Sequence, residues 1–133
     1  MSKLTYYNMY KTVFGFEKYL SLLPRRQLKS CAKFWTSNHC LEIEIGRHQN
    51  IDKEDRLCRL CGLLNHVYIE CEFHVFMQCE SYEDLRRALL NDNENRTLYN
   101  FVKFMGSAND ETVINTANYI HKVFERRQSL INV

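Results

Sequence analysis

The sequence predicts a mainly α fold: one small helical domain in which a C-C-H-C zinc knuckle sits between N-terminal and C-terminal helices. Three observations predict it. Apolar residues recur at spacings of three and four along most of the chain. Pro occurs once and Gly four times in 133 residues. Four cysteines and two histidines crowd into residues 58–79, "CRLCGLLNHVYIECEFHVFMQC".

The elements follow in order. Met9, Val13, Phe16, Leu20 and Leu23 share one helical face, and Pro24 closes that segment. Leu28, Cys31, Ala32 and Trp35 make a second stripe within "RRQLKSCAKFW". "CLEIEIG" alternates Leu41, Ile43 and Ile45 as a strand would, yet Leu41 and Ile45 also fit one helical face. So short a stretch leaves both open. Residues 48–55, "HQNIDKED", and 91–96, "NDNENR", read as polar loops. Tyr82, Leu85 and Leu89 continue a helix just past the cysteines. Leu98, Phe101, Val102 and Met105 form a third stripe, ended by Gly106. Val113, Ala117, Ile120 and Phe124 form a fourth, with Asn109 or Asp110 as its N-cap. A single domain, 1–133, thus divides into an N-terminal helical part (9–47), a knuckle with its following helix (56–90) and a C-terminal helical pair (97–127).

Composition supports a folded chain, with 45% apolar residues, eight Phe, eight Tyr and one Trp. No apolar run approaches the roughly 20 residues that span a bilayer. The opening "MSKLTYYNMYKTVFGF" is broken by polar residues and lacks the apolar segment of a secretory signal. Six cysteines without such a signal predict an intracellular setting, cytoplasm or nucleus, where thiols bind metal more often than they pair. Net charge is only +2 but uneven: residues 1–50 carry eight Lys/Arg against three Glu, and residues 51–100 carry six against ten acids. That balance argues against a dedicated, strongly basic nucleic-acid binder while leaving a basic N-terminal third.

Within the cluster, Cys58, Cys61, His74 and Cys79 follow C-x2-C-x12-H-x4-C. Two cysteines two residues apart can aim both sulfurs at one ion from a tight turn, and a His and Cys five positions apart can close the tetrahedron. Gly62 follows the first pair, where a knuckle turn tolerates or needs positive φ. Thiolates and a neutral imidazole favour zinc over calcium or magnesium. Buried free cysteines are the bland reading, and for Cys31, on its apolar stripe, it is preferred. His66 is near enough in sequence to compete for the ion, and so is Cys71. A thiolate is the stronger donor, but the spacer from Cys71 to Cys79 would carry Phe73 and Phe76, which at i and i+3 face the core more naturally while His74 points to the metal. One Zn2+ per chain on Cys58, Cys61, His74 and Cys79 is the expectation. Four protein ligands leave no open position, so the ion would stabilise the fold and do no chemistry.

The flanks carry a resemblance. "FWTSNHCLEIEIGRHQNIDKEDRLCRLCG…ECEFHVFMQCESYEDLRRALL" resembles the C-terminal zinc-knuckle segment of non-LTR retrotransposon reverse transcriptases. The matching residues are Ser37, His39, Leu41, Ile43, Glu44, Gly46, Arg47, Arg56, Cys58, Cys61, Glu70, Glu72, His74, Cys79, Tyr82, Leu85 and Arg86. The tail "LYNFVKFMGSANDETVINTANYIHKVFERR" is similar to the helical tail that often follows, so the resemblance spans roughly residues 10–128. Cys71 stands where the family commonly has Asp or another polar residue, Thr36 where a basic residue is frequent, and no Tyr-x-Asp-Asp pair or polymerase body is present. The resemblance places His74 at the ligand position and implies a role in handling RNA or target DNA.

Two functions compete. One is a non-catalytic zinc module that binds RNA or single-stranded DNA weakly through Arg25, Arg26, Lys29, Lys33 and Arg47, phosphates being neutralised by these cations. Arg86 and Arg87, or Arg126 and Arg127, are the fallback surface. The other is a zinc-stabilised protein-interaction module, favoured by low net charge and an acidic rim of Glu70, Glu72, Glu80, Glu83 and Asp84. Trp35 could stack on a base but continues the apolar stripe, which favours a core position. No enzyme, membrane or small-molecule role is expected, because no nucleophile–base pair has recognisable spacing.

Overall fold

The computed structural model describes residues 22–36, 39–62, 68–90, 95–107 and 109–131. The stripe from Met9 to Leu20, Ser37, His66 and the loop at 91–94 lie outside them, as does the side chain of Trp35. Among the described residues six α-helices run in order: α1 (Arg25–Trp35), α2 (Glu42–His48), α3 (Arg59–Gly62), α4 (Glu83–Leu89), α5 (Leu98–Met105) and α6 (Asp110–Ile131). Single turns of 3-10 helix occupy Lys53–Asp55 and Glu80–Tyr82, and a π-helical turn occupies His74–Gln78. Among the described residues β-structure is limited to one antiparallel bridge, Leu57 with Ile69. The fold is mainly α.

The longest of these described helices organises the others. α6 spans 22 residues, about 33 Å at 1.5 Å per residue, and α1, α4 and α5 all pack against it. Asn109 caps it, its Oδ1 accepting from the Thr112 N–H at 3.0 Å. Thr97 caps α5 in the same way through the Asn100 N–H, 3.2 Å away. Val113, Ala117 and Ile120 of the predicted stripe are buried, joined by Thr116, Tyr119, Val123 and Arg127. On α5, Phe101 and Met105 are buried while Leu98 is exposed.

Two local readings gain detail. Pro24 is the N-cap of α1, its carbonyl accepting from Leu28 N–H, so it also opens the next helix. Facing inward from α1 are Cys31 and Phe34, with Leu28 and Ala32 half-buried. Phe34, absent from the predicted stripe, is the larger core residue. The "EIEIGRH" stretch is helical, with Leu41, Glu44 and Gly46 buried. Its end explains why helix prevails over strand. Asn50 takes a left-handed φ of 57°, the Ile51 N–H reaches the Gly46 carbonyl at 2.9 Å, and the Asn50 N–H reaches Arg47 O at 3.4 Å. That is a Schellman stop, in which Asn is a tolerated left-handed residue.

Phe76 lies at the centre of the core. Its ring meets Phe101 at 5.2 Å and Tyr119 at 5.0 Å edge-on, with Phe34 and Phe104 slightly farther away. The segment carrying the last two predicted metal ligands is therefore fixed by aromatic packing from three helices.

Candidate metal centre

The first ligand pair comes from a short β-bridge and one helical turn. Cys58 N–H donates to the Tyr68 carbonyl (2.8 Å) and Glu70 N–H to the Arg56 carbonyl (2.9 Å), aligning residues 56–58 with 68–70. Cys61 then lies within α3, which ends at Gly62. No glycine among the described residues has positive φ, so the left-handed turn expected at Gly62 is replaced by this helical turn.

The second pair sits at the ends of the π turn. Five residues along an α-helix advance about 140° past a full turn, which would point two ligands apart. Instead the Cys79 N–H bonds the His74 carbonyl at 2.8 Å, an i→i+5 closure that widens the turn. His74 and Cys79 thereby converge. Such a wide turn needs outside support, and Arg86 provides it. This arginine is fully buried; Nε donates to Phe76 O (2.8 Å), and Nη2 to Cys79 O (2.8 Å) and Val75 O (3.1 Å). Tyr119 adds its hydroxyl to Phe76 O at 2.7 Å. Carbonyls left over by the irregular turn are satisfied by these two side chains.

The four candidate ligand atoms lie within 4.8 Å of one another, and all four residues are buried. Sγ of Cys61 is 3.6 Å from Sγ of Cys79 and 3.3 Å from Nε2 of His74, while Sγ of Cys58 is 3.9 Å from Sγ of Cys79. Around a tetrahedral zinc, ligands at about 2.3 Å (S) and 2.0–2.1 Å (N) stand roughly 3.8 Å apart sulfur to sulfur and 3.5 Å sulfur to nitrogen. The observed edges fit that size. His74 Nδ1 faces Gln78 Oε1 at 3.3 Å, so Nδ1–H donates outward and Nε2 keeps its lone pair for an ion. Tyr68 stacks on the imidazole at a centroid distance of 4.9 Å.

Electrostatics favour a cation here. Packed against one another, the three thiols oppose one another's ionisation. Cys58 is pushed up to about 12 by its hydrogen bond to Cys79 and then by burial; burial pushes Cys61 up as well. Cys79 is drawn below the usual thiol range by the bond from Cys58. A divalent ion would let all three become thiolates. Cys71 is half-buried and stands outside the cluster, and Cys31 is buried on α1 with its thiol raised to about 12 by burial.

The two acids of "ECEFH" (residues 70–74) are not part of a rim. Glu70 is fully buried, taking a bidentate bond from Arg127 (2.9 and 2.7 Å) and the Glu42 N–H at the start of α2 (2.7 Å). Burial works against the charge on Arg127, and Glu70 more than offsets it, so the guanidinium pKa is raised. Glu72 pairs with His39 at 2.8 Å, both side chains nearly inaccessible. Gly46 has its own reason: a Cβ there would fall 2.4 Å from Arg56 Cγ. Arg56 lies across it to bond the carbonyls of Ile51 (2.8 Å) and Ile43 (3.2 Å).

The predicted nucleic-acid residues divide. Arg25, Arg26, Lys29 and Lys33 are all exposed on α1 and form no ion pair among the described residues. Arg47, on α2, is exposed but bonded to Glu44 at 2.7 Å. The fallback surface fails in part: Arg86 and Arg127 are buried, Arg87 is held by Glu83, and Arg126 by Asp84. In the sequence the inward-facing charges read as surface. Their signal is a charged residue landing on an apolar stripe, as Arg127 does four residues after Val123 and Arg86 four after Tyr82.

Fold and site together define a helical domain built round a buried Cys3His cluster able to hold a metal ion. Comparison with protein-family models, curated proteins and solved structures finds no match. No helix among the described residues is long and apolar enough to cross a membrane.

Proposed function

We propose that this chain is a non-catalytic module in which one zinc, held by Cys58, Cys61, His74 and Cys79, fixes the fold, and whose α1 face binds RNA or single-stranded DNA. The observation that carries the metal half is the set of buried ligand atoms at tetrahedral spacing. With four protein ligands the ion has no vacant position and serves as a cross-link between residues 58–61 and 74–79. No group acting on a substrate is needed for that role.

The nucleic-acid half draws support from how charge is distributed. Arg47, Arg86, Arg87, Arg96, Arg126 and Arg127 all sit on carboxylates. The α1 cations are exposed and form no ion pair with an acid of the described residues. A phosphate backbone is the counter-charge such a face fits. The acidic rim that favoured a protein partner is reduced, because Glu70 and Glu72 are buried and Glu83 and Asp84 already hold arginines. The test is a salt titration of oligonucleotide binding, wild type against the combined Arg25→Gln, Arg26→Gln, Lys29→Gln and Lys33→Gln protein. We expect weaker binding and a log–log salt slope flatter by about 0.7 for each phosphate no longer neutralised. An unchanged slope would move the interface off α1.

A further inference from the structure

We propose that the groove between α1 and α6 takes an unpaired nucleotide of the bound strand, with its phosphates on Lys29 and Lys33 and its base against Phe124 and Ile131. This rests on the nucleic-acid reading above and goes beyond it by naming the site and requiring an exposed base. The groove measures about 610 Å³, a size that suits a small ligand such as one nucleotide. One wall is α1: Lys29 and Lys33 stand one helical turn apart, about 6 Å along the axis, and both are exposed. The other wall is α6, where half-buried Phe124 and Ile131 offer an apolar surface and Gln128, between them and exposed, an amide that can pair with a base edge.

The rest of the lining is already committed. Arg127 is engaged by Glu70 and His39 by Glu72, so neither is free to clamp a phosphate. The anion-binding capacity of the groove is therefore two lysines, enough for adjacent phosphates of a single strand. Base-to-aromatic contact is tolerant of sequence and contributes strongly per base. A strand held here should thus need its bases while showing little preference among them.

Cys40 gives the groove a built-in reporter, because this exposed thiol lines it. Half-buried Cys71 does not line it and serves as the internal control. The experiment follows alkylation of the zinc-loaded chain by iodoacetamide, with a twelve-residue oligouridine or an abasic sugar-phosphate oligomer of the same length. At saturating oligouridine, Cys40 alkylation should slow by about tenfold and Cys71 should not change. The abasic oligomer should bind about tenfold more weakly. Gln128→Trp, an exposed position whose new side chain fills the groove, should abolish the protection, whereas Arg25→Gln with Arg26→Gln should lower affinity and keep it. Tight oligouridine binding with Cys40 alkylated at the free rate overturns the groove while leaving nucleic-acid binding in place. Equal affinity for the abasic oligomer overturns the base contact. Absence of binding to either oligomer at low salt overturns the underlying reading as well.

Discussion

The two halves of the Cys3His cluster reach the same point by different means. Cys58 and Cys61 are placed by backbone close in sequence: a β-bridge, then one turn of α3. His74 and Cys79 ride on a π turn that the backbone alone does not favour, pinned by Arg86 from α4 and Tyr119 from α6. The lesson is that a ligand spacing readable in sequence can depend on side chains far outside it. The first pair should survive perturbation of the helical frame, and the second should not.

The largest effect is expected from removing the ion or one of its thiolates. Structural zinc contributes on the order of 10 kcal/mol or more in small metal-dependent domains. Chelation, or Cys79→Ser, should lower the far-ultraviolet helical signal, with hydrogen exchange rising across residues 72–90, and should expose the cluster thiols. If circular dichroism and thiol reactivity are unchanged after stripping, the cysteines are packing residues and the two halves need no ion to hold them.

Next come the buried charges that support the second pair. Arg86→Met takes the guanidinium donor from the carbonyls of Val75, Phe76 and Cys79, leaving Phe76 O to the Tyr119 hydroxyl, at about 3–5 kcal/mol together after relaxation. In a cobalt-substituted protein the ligand-field bands should shift for this variant, since the His74–Cys79 geometry relaxes. Unaltered bands alongside lost stability would make Arg86 a packing residue with no hold on the site. Arg127→Met should cost a comparable amount, about 3–5 kcal/mol, by leaving Glu70 buried and unpaired. The double change with Glu70→Leu should recover part of it in chemical denaturation, and strict additivity would contradict the coupling.

Smaller effects bear on the first pair. Gly46→Ala should cost about 1–3 kcal/mol by overpacking, because Arg56 must give up its place. It should leave zinc affinity within a few-fold in a competition titration, and a large loss would show that the α2 frame controls the site. Smallest in stability is Gln78→Ala, at an exposed position. It should lower zinc affinity by about tenfold through the loosened His74 ring, and by linkage cost the zinc-loaded fold only about 1.4 kcal/mol, read by thermal or chemical denaturation.

Much of this was legible in the sequence because it depends on local pattern. The stripe of α6, the Asn109 cap and the inward faces of Phe73 and Phe76 follow from spacing, and the four clustered residues are the four that metal chemistry selects. Three things were not legible. "CLEIEIG" satisfied both periods over a short length, and the Asn50 stop that decides it lies beyond the stretch. The π turn has no periodic signature of its own, since one inserted residue looks like a phase slip. The partnerships of Glu70 with Arg127 and Glu72 with His39 join residues 57 and 33 positions apart. Charged residues are by default read as solvated, so these acids looked like a rim.

The central claim is that one ion sits among three sulfurs and one imidazole nitrogen. Zinc-edge X-ray absorption on the purified chain, with metal stoichiometry measured on the same sample, tests it directly. The expected result is one zinc per chain with about three sulfurs near 2.3 Å and one nitrogen near 2.0–2.1 Å. A four-sulfur shell would bring Cys71 in place of His74. A shell of oxygen and nitrogen alone, or no retained zinc, would contradict the claim.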